Sequence, residues 1–263
     1  MQYKQIRVDT VINKITKKDK LFNGDYTVDS YQNCEYGCRY CDSSFDKTIY
    51  IKNNAPEVFK KEIKQIQNGT IIIGSVHDPY QKAEEKYKLT RQIIKIIKEN
   101  GLSCHILTKS NLVLRDMDLI SQIKESRVTV SITSQKPEIY QVFEKNVPKP
   151  DVRFKTIETL ANHGINTGLA LIPVLPYLVE PELEEIIKKA KQYKAGYLLY
   201  KHLELKGDQK QIFFNVLQKN LPNILNLYRK LYGENFSPDE KYISNINKKI
   251  FELCEINELK NKY

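Results

Sequence analysis

The chain has 263 residues, 41% hydrophobic and 28% charged, a composition that fits a folded globular protein and excludes global disorder. Its size supports one substantial core, and it holds no run of about 18 apolar residues of the kind that crosses a membrane as a helix. The 42 Lys and Arg against 32 Asp and Glu leave a net charge of +10, which favours an anionic partner such as nucleic acid.

The lysines are scattered along the chain beside abundant isoleucine and asparagine, so compositional drift accounts for the charge equally well. The densest basic run, Lys14–Lys20 (KITKKDK), is short and reads as a solvated loop. The N-terminal MQYKQIRVDT lacks the apolar region of a signal peptide, and a cytoplasmic location with reduced thiols is expected.

Residues 1–25 form a poorly patterned lead-in, with a short strand expected near Ile6–Val8 or Val11–Ile15. Tyr26–Ser30 is the next strand and opens the segment YTVDSYQNCEYGCRYCDSSF (Tyr26–Phe45). Cys34, Cys38 and Cys41 make a C-x3-C-x2-C run there, and Gly37 allows the loop to turn tightly. Thiolates are soft ligands suited to iron–sulfur clusters or zinc. Three of them are one short of a closed site, and an open coordination position is what a reactive centre needs. Cys104 and Cys254 lie in apolar runs (SCHILT and IFELCEI) and read as core cysteines; a zinc site completed by His77 or His105 is the alternative.

A helix is expected over Pro56–Gln67, with Val58, Phe59, Ile63 and Ile66 on one side and Asn68-Gly69 ending it. Thr70–Val76 is a continuous apolar run and reads as a buried parallel strand. The alternation then continues with helix Glu84–Asn100, strand Ser103–Thr108, helix Leu112–Glu125 and strand Val128–Thr133. Helix Pro150–His163, strand Thr167–Val174, helix Glu182–Tyr193 and strand Tyr197–Leu203 complete it. Such alternation predicts an α/β fold with a parallel sheet and right-handed crossovers, either curled into a barrel or flat and doubly wound. In both, ligands meet the carboxyl ends of the strands. Cys34–Cys41, Ser75–Asp78, Lys109–Ser110 and Ser131–Ser134 each follow an apolar strand and so belong at that end.

Beyond Glu204 the pattern changes to two or three amphipathic helices, within Gln209–Tyr232 and Pro238–Leu259, around a turn at Gly233. The expected organisation is a lead-in over 1–25, a core over 26–204 and a helical cap over 205–263 packed on that core.

The cysteine loop, with GSVHDPYQ (Gly74–Gln81), LTKS (Leu107–Ser110) and SITS (Ser131–Ser134), resembles the radical S-adenosylmethionine (SAM) enzymes. The order of these motifs is similar to the spore photoproduct lyase-like branch, over roughly Tyr26 to Ala195. The resemblance implies a partial (β/α)6 barrel with a C-terminal helical extension. It also implies a [4Fe–4S] cluster on Cys34, Cys38 and Cys41 whose fourth iron is chelated by SAM, and reductive SAM cleavage to a 5′-deoxyadenosyl radical that abstracts hydrogen from a substrate. A one-electron reductant such as flavodoxin or ferredoxin is the implied partner.

By the same resemblance Tyr40 flanks the cluster, and Ser75, His77 or Asp78 holds the SAM amino group. Lys109 pairs with the SAM carboxylate, and Ser131 with Thr133 meets the ribose. Each has a plainer alternative. Lys109 reads also as a solvated loop lysine, His77 as a backbone-bonded or capping residue, Asp78 before Pro79 as a turn former, and Ser131 as a turn residue. Two positions depart from the lyases proper: Ser75 stands where they carry a hydrogen-returning cysteine, and Asp42 where a tyrosine follows the third cluster cysteine. A competing reading is an iron–sulfur or zinc scaffold, or an electron carrier without SAM cleavage; Lys109 and the polar strand ends argue against it.

Overall fold

A computed structural model of the chain describes residues 1–17, 21–42 and 47–262; the far end of the basic Lys14–Lys20 run and the last residues of the Tyr26–Phe45 stretch lie outside the described residues. The chain opens with β1 (Gln2–Ile6), β2 (Ile12–Lys14), β3 (Tyr26–Val28), β4 (Tyr31–Gln32) and β5 (Thr48–Lys52). Then follow α1 (Ala55–Glu62), β6 (Thr70–Ile73), α2 (Ala83–Tyr87), α3 (Leu89–Glu99), β7 (Ser103–Thr108), α4 (Met117–Ile120) and β8 (Arg127–Ser131). Next come α5 (Pro137–Phe143), α6 (Pro150–Asn162), β9 (Asn166–Val174), α7 (Leu183–Gln192) and β10 (Tyr197–His202). The chain ends with α8 (Gln209–Asn220), α9 (Pro222–Tyr232), α10 (Glu240–Ile256) and β11 (Lys260–Asn261).

The main sheet has the order β11-β10-β9-β8-β7-β6-β3-β2, parallel throughout except for β2 at one edge. Among the described residues its ends do not pair with each other, so the barrel is partial and open on one side. Strands β6 and β9 are apolar over most of their length because both faces are covered, as in parallel sheets generally.

A polar layer crosses the interior on neighbouring strands. His105 Nε2 lies 2.6 Å from Thr129 Oγ1, which is 2.7 Å from the Tyr197 hydroxyl. Gly168 makes room for that ring: a Cβ there would stand 2.2 Å from it.

Three expectations differ from the structure. The helix expected over Glu84–Asn100 breaks at Lys88, which is left-handed at φ 52°. The cause is Glu84, whose buried carboxylate accepts from the backbone N–H groups of Thr90 (3.0 Å) and Arg91 (3.2 Å) and so starts α3 afresh. Leu112–Glu125 is a 3₁₀ stretch over Asn111–Asp116 followed by the short α4. The two or three helices expected beyond Glu204 are three, because Gln209–Tyr232 divides at Pro222, whose ring disfavours a helical conformation at Leu221.

The third difference is a separate sheet, β1-β5-β4, which pairs the lead-in in parallel with residues 46 positions further on. Its β1 is exposed along almost its whole length and carries no apolar alternation to announce it.

Candidate active site

The cysteine loop leaves the barrel at the end of β3 and is held in shape by polar contacts. Asn33 is left-handed at φ 66° and donates from its amide to the Thr48 carbonyl at 2.8 Å. Gln81, fully buried at the end of the Gly74–Gln81 motif, accepts from Glu35 N–H at 2.9 Å and donates to the Asn33 carbonyl at 3.1 Å. Gly37 supplies a second left-handed turn at φ 58°. Cys41 N–H then donates to the Cys38 carbonyl at 3.0 Å, and Arg39 N–H ties the loop to the Phe143 carbonyl at 2.9 Å.

All three thiols line one cavity of about 360 Å³ at the carboxyl ends of the strands. Tyr40, Ser75, Asp78 and Lys109 line it as well; His77, Ser131 and Thr133 do not. At its floor Gly74 has φ 89°, and a Cβ there would stand 2.4 Å from the Leu107 carbonyl oxygen, so the close approach of β6 and β7 needs glycine.

The polar wall is internally bonded. Asp78 accepts from Thr108 Oγ1 (2.7 Å), Lys109 N–H (2.7 Å) and Tyr80 N–H (2.9 Å), locking the end of β6 to the end of β7. Lys109 Nζ donates to Ser131 Oγ at 2.8 Å and stands 5.9 Å from the centre of the Tyr40 ring. Ser131 in turn donates to the Ile172 carbonyl at 3.3 Å, so this serine steadies the ammonium from behind the wall. The backbone N–H of His77 bonds Asp29, and its buried Nδ1 has no hydrogen-bond partner. Burial, with the Lys52 ammonium nearby, lowers the imidazole to about 4.

Behind Tyr40 lies a carboxylate that sequence reasoning missed. Glu144 accepts from the Tyr40 hydroxyl, from Thr133 Oγ1 at 3.0 Å and from Arg153 Nη2 at 2.6 Å. Arg153 Nη1 also donates to the Ser131 carbonyl at 2.7 Å. Burial alone would raise Glu144, yet the Arg153 guanidinium and the Lys109 ammonium hold it below the usual carboxylate value. The available signal was Arg153 itself, which shares the side of α6 that carries Ile157 and Leu160.

The donor set fits a polynuclear metal centre. Among the described residues no group of three His, Cys, Asp or Glu side chains is poised on a single metal ion, and all three thiols line one cavity. A zinc ion would draw its ligands to about 2.0–2.3 Å of a single point, whereas a cluster takes each thiolate on a separate iron. His105 offers no fourth ligand: its ring nitrogens face the Phe22 carbonyl and Thr129 in the polar layer. Burial, with the Asp78 carboxylate beside it, pushes the Cys34 thiol up to about 12. Burial also raises Cys38, against a lowering by the Lys109 ammonium. Thiols in such surroundings stay protonated until a metal displaces the proton.

Comparison with known proteins gives a consistent picture. The family model described as the Radical SAM superfamily matches residues 28–190. An uncharacterized protein of Methanocaldococcus jannaschii is 31% identical over 214 residues, covering 77% of this chain and 79% of that protein. An uncharacterized protein of Mycobacterium tuberculosis is 29% identical over 227 residues, covering 79% of this chain and 67% of that protein. Among solved structures, a mutant of spore photoproduct lyase superposes with a TM-score of 0.77 at 15% identity, over 96% of this chain and 78% of the lyase. Another mutant of that lyase, with bound AdoMet and dinucleoside spore photoproduct, gives 0.74 at 15% identity over 91% and 75%.

Proposed function

The chain belongs to the radical SAM superfamily and is an enzyme of that class, and from that premise we propose that Cys34, Cys38 and Cys41 hold a [4Fe–4S] cluster beside a SAM site on the same cavity. One observation carries this reading: the three thiols share a single strand-end cavity with Tyr40, Ser75, Asp78 and Lys109. Held by Cys34, Cys38 and Cys41, such a cluster would supply the one electron needed for reductive cleavage of SAM and hydrogen abstraction from a substrate.

The chain's own residues do the binding and orienting. Lys109 pairs with the SAM carboxylate as a compact charge, its ammonium held in place by Ser131. Ser75 lines the cavity wall and meets the SAM amino group. Asp78, with its oxygens engaged by the β7 end, acts chiefly by fixing the backbone that presents Lys109. Ser131 and Thr133, turned to Lys109 and Glu144, position neighbours and do not meet the ribose directly. Residues 205–263 act as a cap: Tyr228 and Tyr232 hydroxyls donate to the Pro176 and Leu203 carbonyls, and Gln209 reaches the cavity.

Ser75 also limits the reaction. A serine O–H bond is too strong to return hydrogen to a carbon radical, so the product radical is quenched from another source. Tyr31 and Tyr80 are poor sources, because both are buried and their hydroxyls donate to Glu84 and Asp116. A one-electron reductant such as flavodoxin or ferredoxin completes the scheme, and the net charge of +10 supports a nucleic-acid substrate.

Lys109→Ala tests the pocket. It is expected to weaken SAM binding by about 1.5–3 kcal/mol, the worth of a charge-assisted hydrogen bond, with iron content unchanged. Titration of the reconstituted protein with SAM checks this, and unaltered affinity would return Lys109 to the ordinary loop lysines.

A further inference from the structure

A groove of about 440 Å³ lies behind the cysteine loop, and among the described residues Tyr36 alone lines both it and the thiol-lined cavity. Residues 145–148, which follow α5, form one lip of this groove. That lip is tied to the loop: Arg39 N–H donates to the Phe143 carbonyl at 2.9 Å, and Asn146 Nδ2 to the Tyr36 carbonyl at 3.5 Å. On the radical SAM reading above, we propose that this groove is where an acidic, flavin-bearing electron carrier of the flavodoxin kind docks, with the edge of its flavin seated over Tyr36.

Placement argues for an electron and against a substrate. Tyr36 stands midway between Cys34 and Cys38 in the sequence and is only 8% exposed. Its hydroxyl donates to the Tyr80 carbonyl at 3.2 Å, which fixes the ring as a wall between the two spaces. A molecule in the groove is therefore kept from Lys109 and Ser75 on the far side. An electron, by contrast, passes through a wall one side chain thick. The transfer oxidises the reduced flavin by one electron and reduces the cluster by one, and no bond forms or breaks.

Charge and shape narrow the partner. Lys82 and Lys145 line the groove, and Arg39 and Lys149 follow from the segments that border it. All four are exposed, and none is ion-paired among the described residues. Glu85 is the one carboxylate among the described residues on the groove walls, and its field also reaches Tyr3 in the small sheet. The floor is aromatic and apolar, with Tyr36, Tyr80 and Val147 buried and Leu112 half-buried. A flat ring edge set in an acidic surface complements such a floor with a cationic rim. Electron-transfer encounters use small interfaces, below about 1,200 Å², so a groove of this size suffices.

Reduction of the anaerobically reconstituted protein by flavodoxin hydroquinone, followed in stopped flow as loss of cluster absorbance, tests the proposal. The rate is expected to fall as salt rises, and to fall about tenfold when Lys82→Glu is combined with Lys145→Glu, as lost steering predicts. Binding of oxidised flavodoxin, measured by calorimetry at low salt, should weaken in parallel. Dithionite, a small reductant that needs no docking face, should reduce the same variant as fast as wild type. Lys60→Glu combined with Lys61→Glu, at the end of α1, alters the net charge equally and is expected to keep the wild-type flavodoxin rate. Iron content and dithionite reduction are read on the same samples, so a missing cluster is distinguished from missing docking. Equal slowing by the two double variants, an unchanged flavodoxin rate in the groove variant, or a rate independent of salt would overturn the proposal. A groove variant that loses affinity for a DNA oligonucleotide while keeping its flavodoxin rate would also overturn it, by assigning the face to nucleic acid.

Discussion

Alanine at any one of Cys34, Cys38 or Cys41 is expected to leave the anaerobically reconstituted protein without its iron and sulfide, whereas Cys104→Ala and Cys254→Ala keep about four of each per chain. The contrast follows from placement. The first three thiols share one cavity at the carboxyl ends of the strands. Cys104 is fully buried near the start of β7, about 16 Å from Lys109 by five residues at about 3.3 Å each. Cys254 is buried on α10. A thiol that far away cannot stand in for one of the three, so loss of a single ligand is not repaired locally. Iron and sulfide analysis of the five variants checks this; a loop variant with full content, or a dependence on Cys104, would contradict it.

Glu144→Ala is expected to destabilise the folded protein by about 3–5 kcal/mol, the cost of leaving a buried charge without its partner. The Glu144 and Arg153 side chains are each only 1% exposed and meet at 2.6 Å. Removing the carboxylate strands the guanidinium and also deprives Tyr40 and Thr133 of their acceptor. Set against a total stability of about 5–15 kcal/mol, this approaches unfolding. Urea melts would show the shift, and Glu144→Leu combined with Arg153→Met should recover much of it by replacing the pair with apolar groups. A small loss in the single variant, or a double variant worse than the single, would show that the pair does not hold this wall together.

How much of this was legible beforehand depended on whether a residue's role is local. Cys34, Cys38 and Cys41 could be singled out because they stand close together in sequence, and the structure sets all three on one cavity. Lys109 could be read because an apolar strand ends directly before it, and the structure sets it on the cavity wall. The strand–helix alternation was likewise carried by short-range pattern, and the parallel order of β6 to β10 agrees with it. Glu84, Glu144 and Arg153 were not legible, because their partners lie on other elements: Glu84 meets Tyr31 and Arg115, Glu144 meets Tyr40, and Arg153 meets the Ser131 carbonyl. Glu84 breaks a helix that periodicity alone continues, and β1 hydrogen-bonds a strand that no local rule connects to it. Gln209 and His202 were passed over for the same reason: the cavity they line is assembled from the core and the C-terminal segment together.

The central claim is that the thiol-lined cavity cleaves SAM, and one measurement meets it directly. Anaerobically reconstituted wild-type protein is reduced with dithionite, mixed with SAM, and its products are separated and quantified. The account predicts methionine and 5′-deoxyadenosine in equal amounts, formed only when iron is bound and strongly diminished by Lys109→Ala. Stoichiometric zinc in place of iron, or a full complement of iron and sulfide with SAM left intact, would contradict it.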